Sequence, residues 1–105
     1  MKQYLVFDIG GTFIKYALMG ADGSLLESGK TPSPMDCLDS LLDAVEGVGR
    51  QFAGRYEEVA VSMPGRIDTA AGIARTGGSF AYIHETPVGQ LFGQRLDAPV
   101  WVAND

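Results

Sequence analysis

Apolar residues fill positions 3–8 almost without a break, the pattern of a strand covered on both faces. Positions 12–19 alternate instead, with Ile14, Tyr16 and Leu18 on one side and Phe13, Lys15 and Ala17 on the other. That period of two predicts a second strand. The turn signal Gly20-Ala21-Asp22-Gly23 leads to a third, at 24–30, with Leu25 and Leu26 near its start. Connections this short make the three strands an antiparallel meander. The spacing then lengthens. Ser33-Pro34-Met35-Asp36 reads as a helix start, serine capping and proline in the first helical position. Leu38, Leu41, Leu42, Val45, Val48 and Phe52 follow at helical spacing, and Gly54 is the expected stop. Gly47 and Gly49 each weaken such a helix by about 1 kcal/mol relative to alanine, which suggests a backbone lying close to the sheet.

Residues 58–63 predict a fourth strand, ended by Pro64-Gly65. Segments 66–68 and 72–75 read as a small hairpin, and Gly77-Gly78 breaks the pattern. Thr86-Pro87 opens a second helix through Leu91, Phe92 and Leu96, and a fifth strand at 100–103 runs into Asn104-Asp105. The order β-β-β-α-β-α-β, with the hairpin inserted, predicts a mixed five-stranded sheet with flanking helices and right-handed crossovers. The α/β half-domain of the ribonuclease-H-like, actin-like ATPase type fits this order, and fold alone gives no chemistry.

Charge and composition narrow the partners. The formal net charge is −5, which argues against a nucleic-acid backbone as main partner. No apolar run is long enough to span a bilayer, and nothing ahead of the first strand reads as a signal peptide. The one cysteine, Cys37, allows neither an internal disulfide nor a Cys-rich zinc site. Together these point to the cytoplasm and to small-molecule partners rather than nucleic acid or membrane.

The stretch Asp8-Ile9-Gly10-Gly11-Thr12 carries the candidate chemistry. One reading is a tight hairpin in which the glycines supply positive φ. The other is a phosphate loop. Adjacent glycines let several N–H groups face one concavity, Thr12 adds a hydroxyl, and Asp8 could hold magnesium directly or through water. The stretch is neither a Walker A loop nor a dinucleotide fingerprint, since a strand rather than a helix follows. Lys15 could face the phosphate or be an exposed alternation position. His84, beside Glu85, reads as a solvated loop residue. Cys37 is expected on a buried or half-buried helix face, and Phe80 and Tyr82 in packing.

Asp8-Ile9-Gly10-Gly11-Thr12 resembles the phosphate motif of the ROK family of repressors, open reading frames and kinases. Ser62-Met63-Pro64-Gly65, Thr76-Gly77-Gly78 and the terminal Asn104-Asp105 follow in that family's order. The resemblance implies an ATP-dependent hexose kinase acting on glucose or a related sugar. ATP would sit on Asp8, Gly10, Gly11 and Thr12 with magnesium on Asp8, through water. Gly77, Gly78, Asn104 and Asp105 would bind the sugar, with Asp105 as catalytic base. The Pro64-Gly65 turn would shape the cleft. β-Glucosides, fructose or N-acetylated amino sugars are alternative substrates, and the sensor lobe of a sugar-responsive ROK repressor is the alternative function. A half-domain of another actin-like protein is a third reading.

The same resemblance makes residues 1–105 the amino-terminal lobe of a two-lobed kinase whose second lobe is absent. The isolated lobe would be inactive, and the full-length protein is expected to be a homodimer. The adenosine-binding glycines and any zinc motif would belong to the second lobe. One sheet face is expected to be partly bare.

Overall fold

The computed structural model describes residues 2–105; Met1, which the sequence places directly ahead of the first strand, lies outside them. Three strands, β1 (Gln3–Ile9), β2 (Phe13–Gly20) and β3 (Leu25–Pro32), form the predicted antiparallel meander. Helix α1 (Leu38–Gln51) crosses to β4 (Glu58–Met63), which pairs parallel with β1. Two short strands, β5 (Ile67–Asp68) and β6 (Ile73–Thr76), then make the expected hairpin. A third, β7 (His84–Thr86), adds to it. Helix α2 (Val88–Leu96) returns the chain to β8 (Val100–Asn104), parallel to β4. The main sheet has five strands in the order β3-β2-β1-β4-β8.

Both helices pack on one face. Leu5, Phe7 and Ile9 of β1 meet Ile14 and Leu18 of β2, Val59, Val61 and Met63 of β4, and Val102 of β8. Leu41, Val45 and Val48 of α1 and Val88, Phe92 and Leu96 of α2 close the same core. Removing a side chain such as Phe7 or Phe92 from water stabilises the fold by about 1.5–3 kcal/mol. β1 is therefore not covered on both faces. Its other side carries Val6 and Asp8, beside Lys15 and Ala17 of β2 and Ala60 of β4, with no helix over them. Trp101 of β8 lies on that open side and is 64% exposed.

Five local expectations change. α1 begins at Leu38 with Cys37 at the cap, and Ser33 does not cap it. β3 runs on to Pro32, the Ser33 N–H still bonds the Thr12 carbonyl at 2.9 Å, and a residue before proline avoids the helical region. Cys37 is exposed as a result. The helix also ends before Gly54, at Gln51, with Phe52 as the C-cap. Gly49 faces the other helix rather than the sheet: a methyl there would run into Leu96 and the Tyr56 hydroxyl. His84 is a strand residue of the second sheet, exposed as expected. Phe80 is buried and meets Tyr82 edge to face at 5.8 Å, the packing role the sequence suggested.

Candidate active site at the strand ends

β1, β4 and β8 are mutually parallel, so all three release their chains at the same edge. The register aligns Asp8 with Ser62, and Ser62 with Ala103. At about 4.8 Å per strand, Asp8 and Ala103 lie roughly 10 Å apart. The Asp8 loop and the Asn104-Asp105 pair thus emerge side by side. Crevices beyond the carboxyl ends of parallel strands are where open α/β sheets bind ligands.

The first loop is a concavity of about 280 Å³ lined by Asp8, Gly10, Gly11, Thr12, Phe13 and Lys15. Gly10 N–H donates to the Phe13 carbonyl at 3.0 Å, closing the hairpin. Neither Gly10 nor Gly11 takes positive φ, so the turn itself does not require the pair. Close approach does. A Cβ on Gly11 would stand 2.9 Å from the Ser79 hydroxyl oxygen, and one on Gly10 3.2 Å from the Phe13 carbonyl oxygen. Lys15 is the cross-strand neighbour of Asp8, is exposed, and lines the same concavity. Asp8, Gly11 and Thr12 are exposed at this rim.

A second group of residues meets this loop. Ser79 follows Gly77-Gly78 directly, so its approach to Gly11 brings segment 77–79 against the hairpin tip. Gly78 sits at φ +61°, where its missing Cβ leaves room for Pro64; Gly77 is buried under Ile83. Gly65 sits at φ +103°, and a methyl there would collide with the Thr76 carbonyl. The Arg66 N–H donates to Thr76 Oγ1 at 3.0 Å and locks the two turns together. Asn104 then donates its side-chain amide to the Gly65 carbonyl, and the Asp105 N–H bonds the Met63 carbonyl at 3.2 Å. An unbroken path of contacts therefore runs from Gly11 through Ser79, Gly78 and Gly65 to Asn104.

Every candidate site residue named from the sequence falls at this one edge. The structure adds Ser79 and Ser33, whose hydroxyl donates to the Gly10 carbonyl at 2.5 Å. The Ser33 motif pointed to a helix cap rather than to the loop, and adjacency to Gly77-Gly78 was the one signal for Ser79. Among the described residues no three histidine, cysteine or acidic side chains gather as a metal cage. Magnesium does not need one, since it keeps several waters and takes one or two carboxylates beside phosphate oxygens. Asp8, exposed beside the loop, suits that role.

The family model described as "ROK family" matches residues 4–105. The chain belongs to the ROK family. It is 32% identical over 99 residues to a β-glucoside kinase of Klebsiella pneumoniae, covering 94% of this chain and 33% of that protein. It is 31% identical over 101 residues to the bifunctional enzyme NanE/NanK of Brucella melitensis, covering 96% and 20%. The crystal structure of an inorganic polyphosphate/ATP-glucomannokinase from an Arthrobacter strain superimposes with a TM-score of 0.86 at 29% identity. That match covers 100% of this chain and 45% of the other. The ROK member described here thus spans a fifth to a third of these curated relatives. Its sheet order and helix placement are those of the actin-like ATPase fold.

Proposed function

We propose that the whole protein carrying this chain is an ATP-dependent sugar kinase, and that residues 1–105 are its amino-terminal lobe. One observation supports this most: the Asp8 loop and the Asn104-Asp105 pair leave the same edge of one sheet, joined by the contacts through Gly65, Gly78 and Ser79. Phosphoryl transfer needs positioned phosphates, neutralised charge and a base near the nucleophile. The loop amides, the Thr12 hydroxyl and Lys15 would hold the phosphate end of ATP. Asp8 would hold magnesium through water, and the ion would neutralise charge on the phosphate oxygens. The exposed Gly78 backbone and the Asn104 amide would hold sugar hydroxyls, while Gly77, buried under Ile83 with its carbonyl bonded to the Phe80 N–H, would shape the turn behind them. Asp105 would take the proton of the attacking hydroxyl as that oxygen bonds the γ-phosphorus and the bond to ADP breaks.

The exposure of Asp8, Thr12, Asn104 and Asp105 supports a site completed by a second lobe that excludes water. The relatives' names support an acceptor among hexoses, β-glucosides and N-acetylated amino sugars. No helix among the described residues is long and apolar enough to cross a membrane. We infer work in the cytoplasm on ATP and free sugar, by a homodimer, independent of nucleic acid or membrane.

A coupled ADP-release assay of the whole protein against a sugar panel tests this. Turnover with one of these sugars is expected, and Asp105→Asn should lower kcat by 10²–10⁴-fold, the usual contribution of a general base, with sugar binding retained. Unchanged turnover in that variant would remove Asp105 from the mechanism.

A further inference from the structure

The exit of β3 reaches back to the candidate phosphate loop through one residue. Ser33 Oγ donates to the Gly10 carbonyl at 2.5 Å, and the Ser33 N–H donates to the Thr12 carbonyl at 2.9 Å. A trans peptide unit is planar, with its C=O and N–H pointing in opposite directions. Holding the Gly10 carbonyl toward Ser33 therefore turns the Gly11 N–H away from it. Holding the Thr12 carbonyl turns the Phe13 N–H away in the same manner. Among the described residues no backbone carbonyl takes the Gly11 or Thr12 N–H. Gly10, Gly11, Thr12 and Phe13 all line the 280 Å³ concavity.

We propose that Ser33 is a positioning residue that aims the loop's amides at a bound phosphate. The proposal rests on the kinase reading above and adds a residue that reading does not use. Free glycine peptides are the most mobile in the chain, so an undirected Gly10-Gly11 unit would point its N–H groups many ways. Two bonds from one residue remove that freedom before any ligand arrives, and amides fixed in advance bind an anion without an ordering cost. The Ser33 side is itself held. Proline on either side restricts the backbone there, and the Tyr82 hydroxyl donates to the Pro34 carbonyl at 2.7 Å. Tyr82 follows the Gly77-Gly78 turn, so the strap that sets the phosphate loop is anchored on the segment beside the proposed sugar site.

The two bonds separate cleanly by mutation. Ser33→Ala removes the hydroxyl and keeps the N–H bond to Thr12, so β3 stays in register. Ser33→Thr restores a hydroxyl. The measurements, on the whole protein, are KM for ATP, KM for the sugar, kcat and the melting temperature. Ser33→Ala is expected to raise KM for ATP about tenfold, the scale of one hydrogen bond to an ionised group. KM for the sugar and the melting temperature should stay near wild type, and Ser33→Thr should recover most of the ATP affinity. An unchanged KM for ATP in Ser33→Ala overturns the proposal while leaving the kinase reading intact. So does a parallel rise in both KM values with a lowered melting temperature, which marks general loosening. Absence of ATP binding and turnover in the wild type fails the kinase reading, and the role of Ser33 with it.

Discussion

At Gly65 the backbone stands at φ +103° and a methyl group would run into the Thr76 carbonyl. Both penalties fall on any L-residue there, the first alone costing about 1–3 kcal/mol. Gly65→Ala should therefore destabilise by at least that much in a denaturant titration. It should also lower turnover, because the Gly65 carbonyl holds the Asn104 amide. Gly47 makes the contrasting control. Its Cβ position is open and its helix is regular, so Gly47→Ala should stabilise by about 0.5–1 kcal/mol. A destabilised Gly47→Ala would show that this side of α1 is more crowded than its geometry indicates. Residue identity made the candidate site legible: glycines, a threonine and acids at strand ends announce close approach and charge. It did not make the cause legible. The need for Gly11 comes from Ser79, a residue 68 positions later along the chain, and no local pattern reports such a contact.

At the scale of elements, the segment between β3 and α1 shows how one motif fits two structures. Ser-Pro with a following acid suits a helix start and an extended strap equally well. Pairing with β2 decides for the strap by carrying the strand to Pro32. β7 escaped notice for a related reason: three residues with no alternation become a strand only because β6 offers an edge. The periodic elements β2, α1 and α2 were readable because each repeats its apolar face often enough to be unambiguous, whereas the unbroken apolar run of β1 marked a strand without showing which face lies open. The strap also carries a pH signature. Burial first, then the nearby Asp36 and Cys37, push the Tyr82 hydroxyl from 10 up to about 12. A raised folded value means the contribution is fully present below the unfolded value, near pH 10, and is lost as pH rises toward about 12. Phenolate absorbance should show this tyrosine ionising last in the wild type. The stability difference between wild type and Tyr82→Phe should shrink from pH 10 upward; a difference constant across that range would place Tyr82 in an unperturbed setting.

For the whole molecule, one sheet divides its two faces between different tasks. The face under α1 and α2 holds the core and fixes the parallel register that brings three strand ends to one edge. The opposite face has Val6, Ala17, Ala60 and Ala103 across its middle and Trp101 near its edge, with no helix over them. Contiguous apolar surface of this kind favours association in water. A preparation of these 105 residues alone should accordingly bind a hydrophobic dye such as ANS and sediment as more than a monomer at raised concentration. Trp101→Glu should weaken both, since it puts a charge on the most exposed large side chain of that face while leaving the core untouched. On the proposed kinase reading, the same preparation should transfer no phosphate to sugar even with its loop intact, because the contact path from Gly11 to Asn104 would build only one wall of the proposed site, which must also shut out water. Dye binding and sedimentation that ignore Trp101→Glu would locate the association elsewhere, at the exposed Leu25 and Leu26 on the outer strand β3.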